Sequence, residues 1–505
     1  MVSASLFVQF KLAGVWTDVS ADVLSTPYIT WESGMSSDEP TSYVADAGRI
    51  EFWMNNSTRN SGGVLGYYSP GHASCRSGFE LGLEVRIKTT YSAADRYQIH
   101  GRISEIEPIP GRYGERRTRV VATDYIDEML QRYVDGLTIQ TAKRSDELFD
   151  TLIDTMDFTP LATSYDTGPE TFGNAFHDIE GERMVVGTVA QKIAQSDLSR
   201  IWVIGDATGG ETLCLINRQD DIGKSSQLTL NETMTDLDME RTRENIANKI
   251  VVSFRALNEG TTNEVLYSLP DEVSINPTRD YTFTALYRDP DGGDRINGKT
   301  MVDPLVADTD YKFSSVSGSG NNMNADLDIA INFFSDKAEI TLTNNHASNT
   351  GYLWLFQLRG LAIRLRDAIE VNATDAASIA AYGEKRLEFR TPYQNNFNVT
   401  QNIADYLKTK WSNPRYKIKS VTFLGNTSST LMSAAVNRDL GDKVTITETA
   451  TGINTTKIII GRRVSVSGGG IWRVRYIFKD DDGGAFWLLG TSGASELGET
   501  TILGF

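Results

Sequence analysis

The sequence has few of the residues on which metal and redox chemistry depend. Its 505 residues include two cysteines, Cys75 and Cys214, and four histidines, and none of these lies at zinc-ligand spacing from another. Two isolated cysteines also give no disulfide framework, so we expect two free thiols. The sequence therefore predicts neither a zinc site nor a zinc peptidase.

Long apolar runs are absent as well. No stretch approaches the roughly 18 to 20 residues that a membrane-spanning helix needs. The first fourteen residues carry the polar Ser3, Gln9 and Lys11, and they lack the basic start, apolar run and cleavage site of a signal peptide. We expect a chain without a membrane segment that is soluble when made.

The sequence has fewer basic than acidic residues. The chain has 66 acidic and 49 basic residues, a formal charge of −17, which is the wrong sign for a protein that grips phosphate backbones. No G-x-S-x-G nucleophile motif is present, and a carboxylate pair for glycoside cleavage would have to be assembled in three dimensions. We therefore predict neither specific nucleic-acid binding nor an enzyme, and we assign no catalytic residue, cofactor or metal.

The length exceeds that of a single core and predicts three or four domains. Strand-type alternation and Gly/Pro turns dominate residues 1–135, helical periodicity appears in 136–250, strands alone return in 251–365, and residues 366–505 combine helix with further strands. The fold class predicted is mainly β and multidomain. We expect a β-domain at each end, a small α/β domain second and a β-sandwich third.

Particular elements can be predicted from the period of the apolar residues. Steps of three and four residues predict helices at 148–156 and 186–193, a less regular one at 374–387, and one at 399–411 that stops before Pro414. Strands alone are expected after that point.

One strand stands out in the third region. Residues 352–358 are apolar at nearly every position, which predicts a central strand that is covered on both faces.

The two β-rich ends share a spaced pattern. Sixteen residues separate Val85 from Gly101, and seventeen separate Val444 from Gly461, and in both places a turn and two arginines follow. The glycines suit points where a strand bends or passes close to another backbone. The pattern predicts one small β-barrel at each end of the chain, and a chance likeness of two hairpin-rich regions is the alternative.

Short motifs in a fixed order resemble phage minor tail and tail-hub proteins. They cover about two thirds of the chain, with the least likeness at 140–250, and it is their order that carries the resemblance. The motifs are 46–52 (DAGRIEF), 55–56 (NN), 69–71 (SPG), 83–87 (LEVRI), 101–103 (GRI), 281–289, 310–311 (DY), 340–344 (ITLTN), 358–360 (LRG), 439–444 (DLGDKV), 486–490 (FWLLG) and 497–505 (LGETTILGF).

This resemblance implies a fold and a function. The end domains, 1–135 and 366–505, would be tail-tube-like barrels, with a small α/β domain at 136–250 and an inserted Ig-like sandwich at 251–365. A homotrimer of such chains would close the tail tube at its host-facing end and adapt sixfold to threefold symmetry. The acidic composition favours a channel through which genome DNA passes without adhering.

The resemblance also implies partners and a location. The partners are distal tail or tail-tube proteins, the tape-measure protein and tail fibres. The location is the virion, at the distal tip of the tail, after synthesis in the cytoplasm of the host bacterium. The alternative is a peripheral adhesin whose sandwich recognises a host surface polysaccharide or protein. An adhesin has no need for two barrels of one design, so the repeated pattern favours the hub.

Two acidic turns invite a cation-site interpretation. Residues 289–294 (DPDGGD) have the acidic spacing of a calcium loop, but Thr300 stands where a Glu would complete it. Residues 480–484 (DDDGG) have the composition of a solvated hairpin tip. We predict surface turns at both places.

The carboxyl-terminal residues are apolar. Ile502, Leu503 and Phe505, together with Trp487, would favour aggregation if they were exposed, so we predict that they pack against a neighbouring subunit or complete a sheet.

Overall fold

A computed structural model describes residues 2–111, 116–134, 136–177, 183–206 and 209–481. The amino-terminal elements are β1 Ser5–Leu12, β2 Val15–Asp18, a 3-10 helix Ser20–Asp22, β3 Ile29–Gly34, β4 Asp46–Asn55, β5 Glu84–Tyr91, β6 Ala94–Ile109, β7 Arg117–Thr123 and α1 Tyr125–Gln131. The next are β8 Tyr133–Val134, β9 Gln140–Arg144, α2 Ser145–Ile153, β10 Thr163–Tyr165, β11 Thr171–Ala175, β12 Met184–Val185, α3 Val186–Asp197, β13 Arg200–Ile204, β14 Thr212–Ile216, β15 Thr229–Leu230 and β16 Met234–Glu240.

The second half of the chain is also mostly strand. Its first elements are β17 Lys249–Ser268, β18 Val273–Ile275, β19 Asp280–Leu286, β20 Asn297–Lys299, β21 Tyr311–Val316, β22 Ser319–Asn322, a 3-10 helix Asn324–Asp326, β23 Leu327–Phe333, β24 Lys337–Asn344 and β25 Gly351–Thr374. They are followed by α4 Ala376–Tyr382, β26 Arg386–Arg390, α5 Phe397–Trp411, β27 Lys417–Leu424, a 3-10 helix Gly425–Thr427, α6 Ser429–Asn437, β28 Lys443–Glu448, β29 Ile453–Val466 and β30 Trp472–Asp480.

Strands from both ends of the chain form one large sheet. Among the described residues it has thirteen strands, in the order β16-β27-β30-β29-β3-β4-β7-β6-β5-β1-β2, with β28 beside β29 and β15 beside β28. The two ends meet where β3 pairs antiparallel with β29, from Gly34 opposite Gly461 to Ile29 opposite Val466. We call this pairing the seam.

The seam explains why the two-barrel prediction is not confirmed. Within the described parts of the chain no sheet closes into a barrel, and the path of the large sheet stays open at β2 and β16. In a barrel, the free edge of β3 would pair with a strand from its own end of the chain, and so would the free edge of β29. Here these two edges pair with each other instead.

The repeated pattern itself corresponds to a repeated structure. Strands β5, β6 and β7 form an antiparallel unit of neighbouring strands, and β28, β29 and β30 form another. A Cβ atom on Gly101 would lie 2.5 Å from the Thr123 carbonyl oxygen, and one on Gly461 would lie 2.2 Å from that of Met35. Both glycines therefore lie where a strand passes close to another backbone, as predicted.

The predicted helices are found, with differences at their ends. Helices α2, α3 and α5 lie where the apolar period places them, and α5 ends at Trp411, before Pro414. Helix α4 is shorter than predicted, because the chain turns at Gly383 with φ +80° and Arg386 already begins β26.

The prediction of strands alone after α5 is wrong, because α6 follows β27. The Ser428 hydroxyl caps α6 by accepting from the Leu431 amide at 3.1 Å, and Met432 and Ala435 bury the helix against the large sheet. Helix α1, capped by Asp124, was also not predicted.

The third region consists of two facing sheets around a separate core. Strands β19, β24 and β23 form one sheet. The other consists of the carboxyl-terminal part of β17 and the amino-terminal part of β25, together with β18, β20, β21 and β22. Ile340 and Leu342 of the first sheet and Leu353 and Phe356 of the second belong to one buried cluster. We call this region the sandwich, and its Ig-like topology stays a prediction.

Strand β25 is central to its sheet but is not covered on both faces. It pairs with β17 and β18 along one edge and with β20 and β21 along the other. Leu353 and Phe356 are buried, whereas Trp354 is 40% exposed, with the Lys312 ammonium 4.9 Å from its ring. A shift in the pairing register between β21 and β25 turns Trp354 away from the core.

A third core lies between the large sheet and the sandwich. Helices α1, α2, α3 and α5 surround three small sheets, which are β10-β14-β13, β11-β9 and β12-β8. The amino-terminal end of β17 and the carboxyl-terminal end of β25 belong to the same core. We call the part from α1 to β14 the middle unit. Its buried residues include Leu148, Phe149, Val189 and Ile193, which the helical period had placed on apolar faces.

The seam should tolerate no added atom at Gly461. In the Gly461→Ala variant the new methyl group must displace the backbone at Met35, which should lower the free energy of unfolding by about 1–3 kcal/mol. Chemical denaturation measures the change. Gly469→Ala is the control, since a Cβ there meets only the Ser467 hydroxyl at 4.0 Å. Equal midpoints for the two variants would contradict the account of the seam.

Candidate functional site on the polar face of the large sheet

The large sheet buries one face and exposes charged residues on the other. In β4, Ile50 and Phe52 are fully buried, whereas Arg49 and Glu51 between them are half-exposed. The same alternation holds in β30, where Val474 and its alternate neighbours are buried. We call the second surface the polar face, and it includes Lys11, Trp16, Glu32, Arg49, Glu51, Glu84, Arg86, His100, Arg102, Arg119, Arg463 and Arg475.

A row of charges crosses the polar face at the seam. Arg475 of β30 lies opposite Arg463 of β29, which lies opposite Glu32 of β3, which lies opposite Arg49 of β4. Arg463 is 3.5 Å from the Glu32 carboxylate, and Arg475 is 3.8 Å from that of Asp238. Because each arginine has a carboxylate within 4 Å, this part of the face presents alternating charge and no cationic patch.

Arg119 is the centre of a second charged group. Its guanidinium is 2.9 Å from Glu51, 2.9 Å from Glu105 and 3.4 Å from Glu107, and Glu51 also binds Arg49 at 2.9 Å. The hydrogen bond from Arg119 holds the pKa of Glu51 below its usual range, although partial burial opposes this shift. The carboxylates in turn raise the pKa of the Arg119 guanidinium.

Near β2 the polar face is covered by aromatic rings. The Arg86 guanidinium lies 4.0 Å from the ring centroids of both Trp16 and Tyr97, and its Nε donates to Gln9 at 2.9 Å. Burial lowers the pKa of Arg86, and the stacked rings replace part of its hydration. This arginine is therefore a packed part of the face.

The middle unit rests on the polar face at His100. The imidazole of His100, only 2% exposed, lies between two carboxylates. Its Nδ1 is 2.6 Å from Glu211, which precedes β14 of the middle unit, and its Nε2 is 3.3 Å from Glu84 of β5. Lys11 also binds Glu84, at 3.0 Å. Hydrogen bonds from His100, with the help of Lys11, lower the pKa of Glu84 to about 2.

The composition of this face suits contact with other macromolecules. In the described residues no group of three His, Cys, Asp or Glu side chains is placed to hold a metal ion. No helix in those ranges is long and apolar enough to span a bilayer. Paired charges on a rigid sheet determine which partner surface can approach, since unmatched charges are costly to bury.

Both acidic turns use their carboxylates within the chain. Asp289 accepts from the Asp291 amide at 3.0 Å and from Arg364 at 2.7 Å, so residues 289–294 form the predicted surface turn. Asp480 is the last residue of β30, and Arg415 and Lys457 pair with it. Although burial opposes the shift, these cations hold the pKa of Asp480 below its usual range.

The second turn thus differs from a solvated hairpin tip at its first two positions. Asp481 is paired with the buried Lys443 at 2.9 Å. Residues 482–484 lie outside the described residues.

The residues to which the sequence assigned an assembly role also lie outside the described ranges. These are Trp487, Ile502, Leu503 and Phe505. The cluster of His100, Glu84 and Glu211 was not predicted, because Glu211 is more than a hundred positions away along the chain. The only signal of this cluster in the sequence was the spaced pattern that marked Gly101, the residue after His100, as a close backbone contact.

The Arg119 group predicts a measurable titration. Glu51 should titrate below the ordinary range of glutamate, and in the Arg119→Met variant its pKa should rise toward the unperturbed value of about 4.3. Because the folded pKa is lowered, the stabilisation is present above the unfolded pKa and is lost as the pH falls through the folded one. NMR of 13C-labelled glutamate measures both values. Arg59→Met, in an exposed loop, is the control and should leave Glu51 unchanged.

Comparison with known proteins gives likeness of structure without likeness of sequence. No protein-family model matches the chain, and no curated protein matches it. The 43 kDa tail protein of prophage MuSo2 from Shewanella oneidensis has a similar structure, with a TM-score of 0.50 and 9% identity, covering 95% of this chain and 99% of that one. The tail protein from Neisseria meningitidis MC58 matches with a TM-score of 0.49 and 11% identity, covering 95% of this chain and 97% of that one. The predicted resemblance to phage tail proteins is thus confirmed at the level of the fold: this chain has the fold of the MuSo2 tail protein along nearly its whole length.

Proposed function

We propose that this chain is a non-enzymatic structural component of a phage tail, and that copies of it form the hub ring that closes the tail tube at its host-facing end. The observation that carries the proposal is the large sheet, in which each chain end contributes a three-stranded antiparallel unit and the seam makes the strands of both ends one sheet. A protein with two such units can meet a sixfold tube with three copies. The fold likeness to a phage tail protein supports the same assignment.

The open edges of the large sheet suggest how copies join. Strands β2 and β16 end the sheet, and in the part of the chain that the structure describes no further strand pairs with either of them. Free edges of this kind favour pairing with another chain. A contact between β2 of one copy and β16 of the next uses two different surfaces, and such head-to-tail contacts form a ring when the rotation between copies closes.

The uncovered part of the polar face has a composition suited to the lining of a DNA channel. Arg49, Arg463 and Arg475 each have a carboxylate within 4 Å, and Arg119 has three. A phosphate backbone gains affinity by releasing counterions to free cations, and paired arginines offer few of these. DNA could therefore pass such a surface without being held.

The proposal extends to partners and location. We infer contacts with distal tail or tail-tube proteins, the tape-measure protein and tail fibres, in a homotrimer at the distal tip of the virion. We also propose that the domains divide near residues 135, 250 and 365, with the sandwich facing outward.

One observation favours the adhesin as a second candidate. The exposed Trp354 and the neighbouring Lys312 lie on the uncovered face of the sandwich, where an aromatic ring could contact a sugar or a protein. In that case the large sheet would only attach the chain to the tail.

The mass of the native assembly tests the ring. Native mass spectrometry should give three copies, and end-on electron microscopy should show a central opening. Val15 is 66% exposed on the edge strand β2, and Val15→Lys should raise the dissociation constant at least about tenfold, which is about 1.4 kcal/mol. Leu81→Lys, an exposed position in a loop, is the control. A monomer that forms no ring even with tail-tube partners would contradict the hub and favour the adhesin.

Removing the carboxylates around Arg119 should create DNA affinity. The triple variant Glu51→Gln, Glu105→Gln and Glu107→Gln should retain double-stranded DNA at about 50 mM salt, and the retention should fall as salt rises. Electrophoretic mobility shift measures the binding. The control variant carries Asp328→Asn, Glu339→Gln and Glu388→Gln, so it loses the same charge in and near the sandwich. If the wild-type chain already binds as strongly as the triple variant, charge pairing does not keep DNA off this face.

The apolar carboxyl terminus should contribute to assembly. Deleting residues 501–505 removes Ile502, Leu503 and Phe505 and should lower the fraction of chains incorporated into tails, since their apolar area would no longer be buried between subunits. Substituting Trp487 by Ala should act in the same direction. Incorporation is measured by complementing a phage that lacks the gene. Full incorporation of the truncated chain would show that these residues have no assembly role.

A further inference from the structure

The contact between the middle unit and the large sheet includes a buried histidine. His100 lies in β6 of the large sheet, and its two ring nitrogens face carboxylates of different units: Glu84 at 3.3 Å within the sheet and Glu211 at 2.6 Å from the middle unit. Neutral imidazole carries one N–H donor and one acceptor, whereas imidazolium carries two donors. With both carboxylates ionised, both contacts can therefore be hydrogen bonds only when His100 is protonated.

The remaining groups around the histidine stabilise this arrangement. Trp16 of β2 closes the site with its ring 5.7 Å from the imidazole, edge to face. From β1, Lys11 pairs with Glu84 at 3.0 Å. Arg102 of β6 lies 3.7 Å from Glu84 and 3.9 Å from Glu128 of α1, so it connects the site to the first helix of the middle unit.

On the side of the middle unit, backbone contacts and carboxylates face the same junction. The Leu161 amide donates to Glu211 at 2.9 Å, which leaves the other carboxylate oxygen for His100. Asp124 caps α1 by accepting from the Ile126 amide at 3.1 Å. Asp127 of α1 accepts from the Thr123 hydroxyl and faces Asp124.

Asp124 is the second titratable group buried at this junction. It is 3% exposed, and a Cβ atom on Gly48 would lie 2.3 Å from its Oδ2, so only glycine at that position leaves room for the carboxyl. Burial, with a contribution from the charge of Glu211, raises the pKa of Asp124 to about 7.

We propose that this junction is a proton-dependent latch: protonated His100 clamps Glu211 of the middle unit to Glu84 of the large sheet, and loss of the proton weakens the contact of the middle unit with the polar face. The latch does not depend on the hub assignment, because all its groups lie within one chain.

The direction of the pH dependence follows from the groups involved. Burial disfavours the charged form of His100, but the hydrogen bonds to Glu211 and Glu84 outweigh burial and raise its pKa. A raised folded pKa means that the stabilisation is present below the unfolded pKa of about 6.5 and is lost as the pH rises through the folded value. Asp124 acts in the same direction, since its folded form keeps the proton up to about pH 7. Glu84, with a pKa of about 2, changes charge only in strong acid. The contact should therefore weaken as the pH rises from 6 to 9.

Amide hydrogen exchange of the full chain tests the latch. After correction for the intrinsic pH dependence of exchange, peptides from β6 and from residues 209–216 should lose protection between pH 6 and 9, by about tenfold for each unit by which the folded pKa of His100 exceeds the unfolded one. Peptides from β23 and β24 in the sandwich should keep theirs. The His100→Gln variant should lose the part of this pH dependence that His100 contributes, because glutamine does not titrate, and keep only the part below about pH 7 that belongs to Asp124. His346→Gln, at a half-buried histidine in the sandwich, is the matched control and should behave as the wild type.

A direct titration covers the case in which His100→Gln does not fold. NMR of the wild-type chain gives the pKa of each of the four histidines, and His346→Gln removes one signal to begin their assignment. A His100 pKa above 6.5 that falls in the Glu211→Gln variant supports the latch. A pKa at or below 6.5, or a loss of protection that is the same in wild type and His100→Gln, would overturn it.

Discussion

The antiparallel pairing of β3 with β29 is the contact on which the rest of the molecule depends. It joins residues more than four hundred positions apart and turns two separate sets of strands into one sheet. Gly34 and Gly461 face each other at one end of it, where added side-chain atoms would meet backbone at 2.2 Å. Beside them Trp31 and Trp472 pack edge to face, 5.7 Å apart, within the largest core. Closing so long a loop has an entropic cost that rises only slowly with length, which buried aromatic area readily offsets.

Because β3 and β29 pair, the chain that leaves the large sheet between these two strands must return to the same sheet. The middle unit and the sandwich are therefore excursions from one platform, and the middle unit contacts it through Trp202 and Cys214 in the largest core as well as through polar groups. The middle unit meets the platform at His100 and Glu211, and at Asp439, whose carboxylate accepts from the Gly205 amide and from Arg96 at 3.1 Å. The long strands β17 and β25 lead to the sandwich. The amino-terminal end of β17 and the carboxyl-terminal end of β25 belong to the third core, and their other ends belong to the sandwich core.

Charge in this protein is organised locally. The chain as a whole is strongly acidic, yet the polar face carries arginines, of which Arg49, Arg119, Arg463 and Arg475 each lie beside a carboxylate. Exposed pairs of this kind contribute little to stability, commonly less than about 1 kcal/mol. Alternating charges instead favour surfaces of complementary charge, since unmatched charges are costly to bury.

The sequence by itself determined those features that depend on neighbouring residues. The period of Leu148, Phe149 and Leu152 placed α2, Pro414 ended α5, and the spacing of Gly101 and Gly461 marked two strands that pass close to other backbones. The turn at 289–294 followed from its composition, and the order of short motifs indicated a phage tail protein fold, which the structural likeness bears out. These are local properties, since helix period, turn chemistry and strand alternation extend over a few residues.

Tertiary structure alone decided the rest. Strand edges carry no mark of their partner, because backbone N–H and C=O groups are the same in every residue, and so the sequence could not show that β3 would pair with β29 instead of closing a barrel. The exposure of Trp354 depends on a shift in register, and α6 forms because the large sheet buries its apolar side. The cluster of Glu84, His100 and Glu211 joins groups from distant parts of the chain, and their protonation depends on burial and mutual charge, which exist only after the chain has folded.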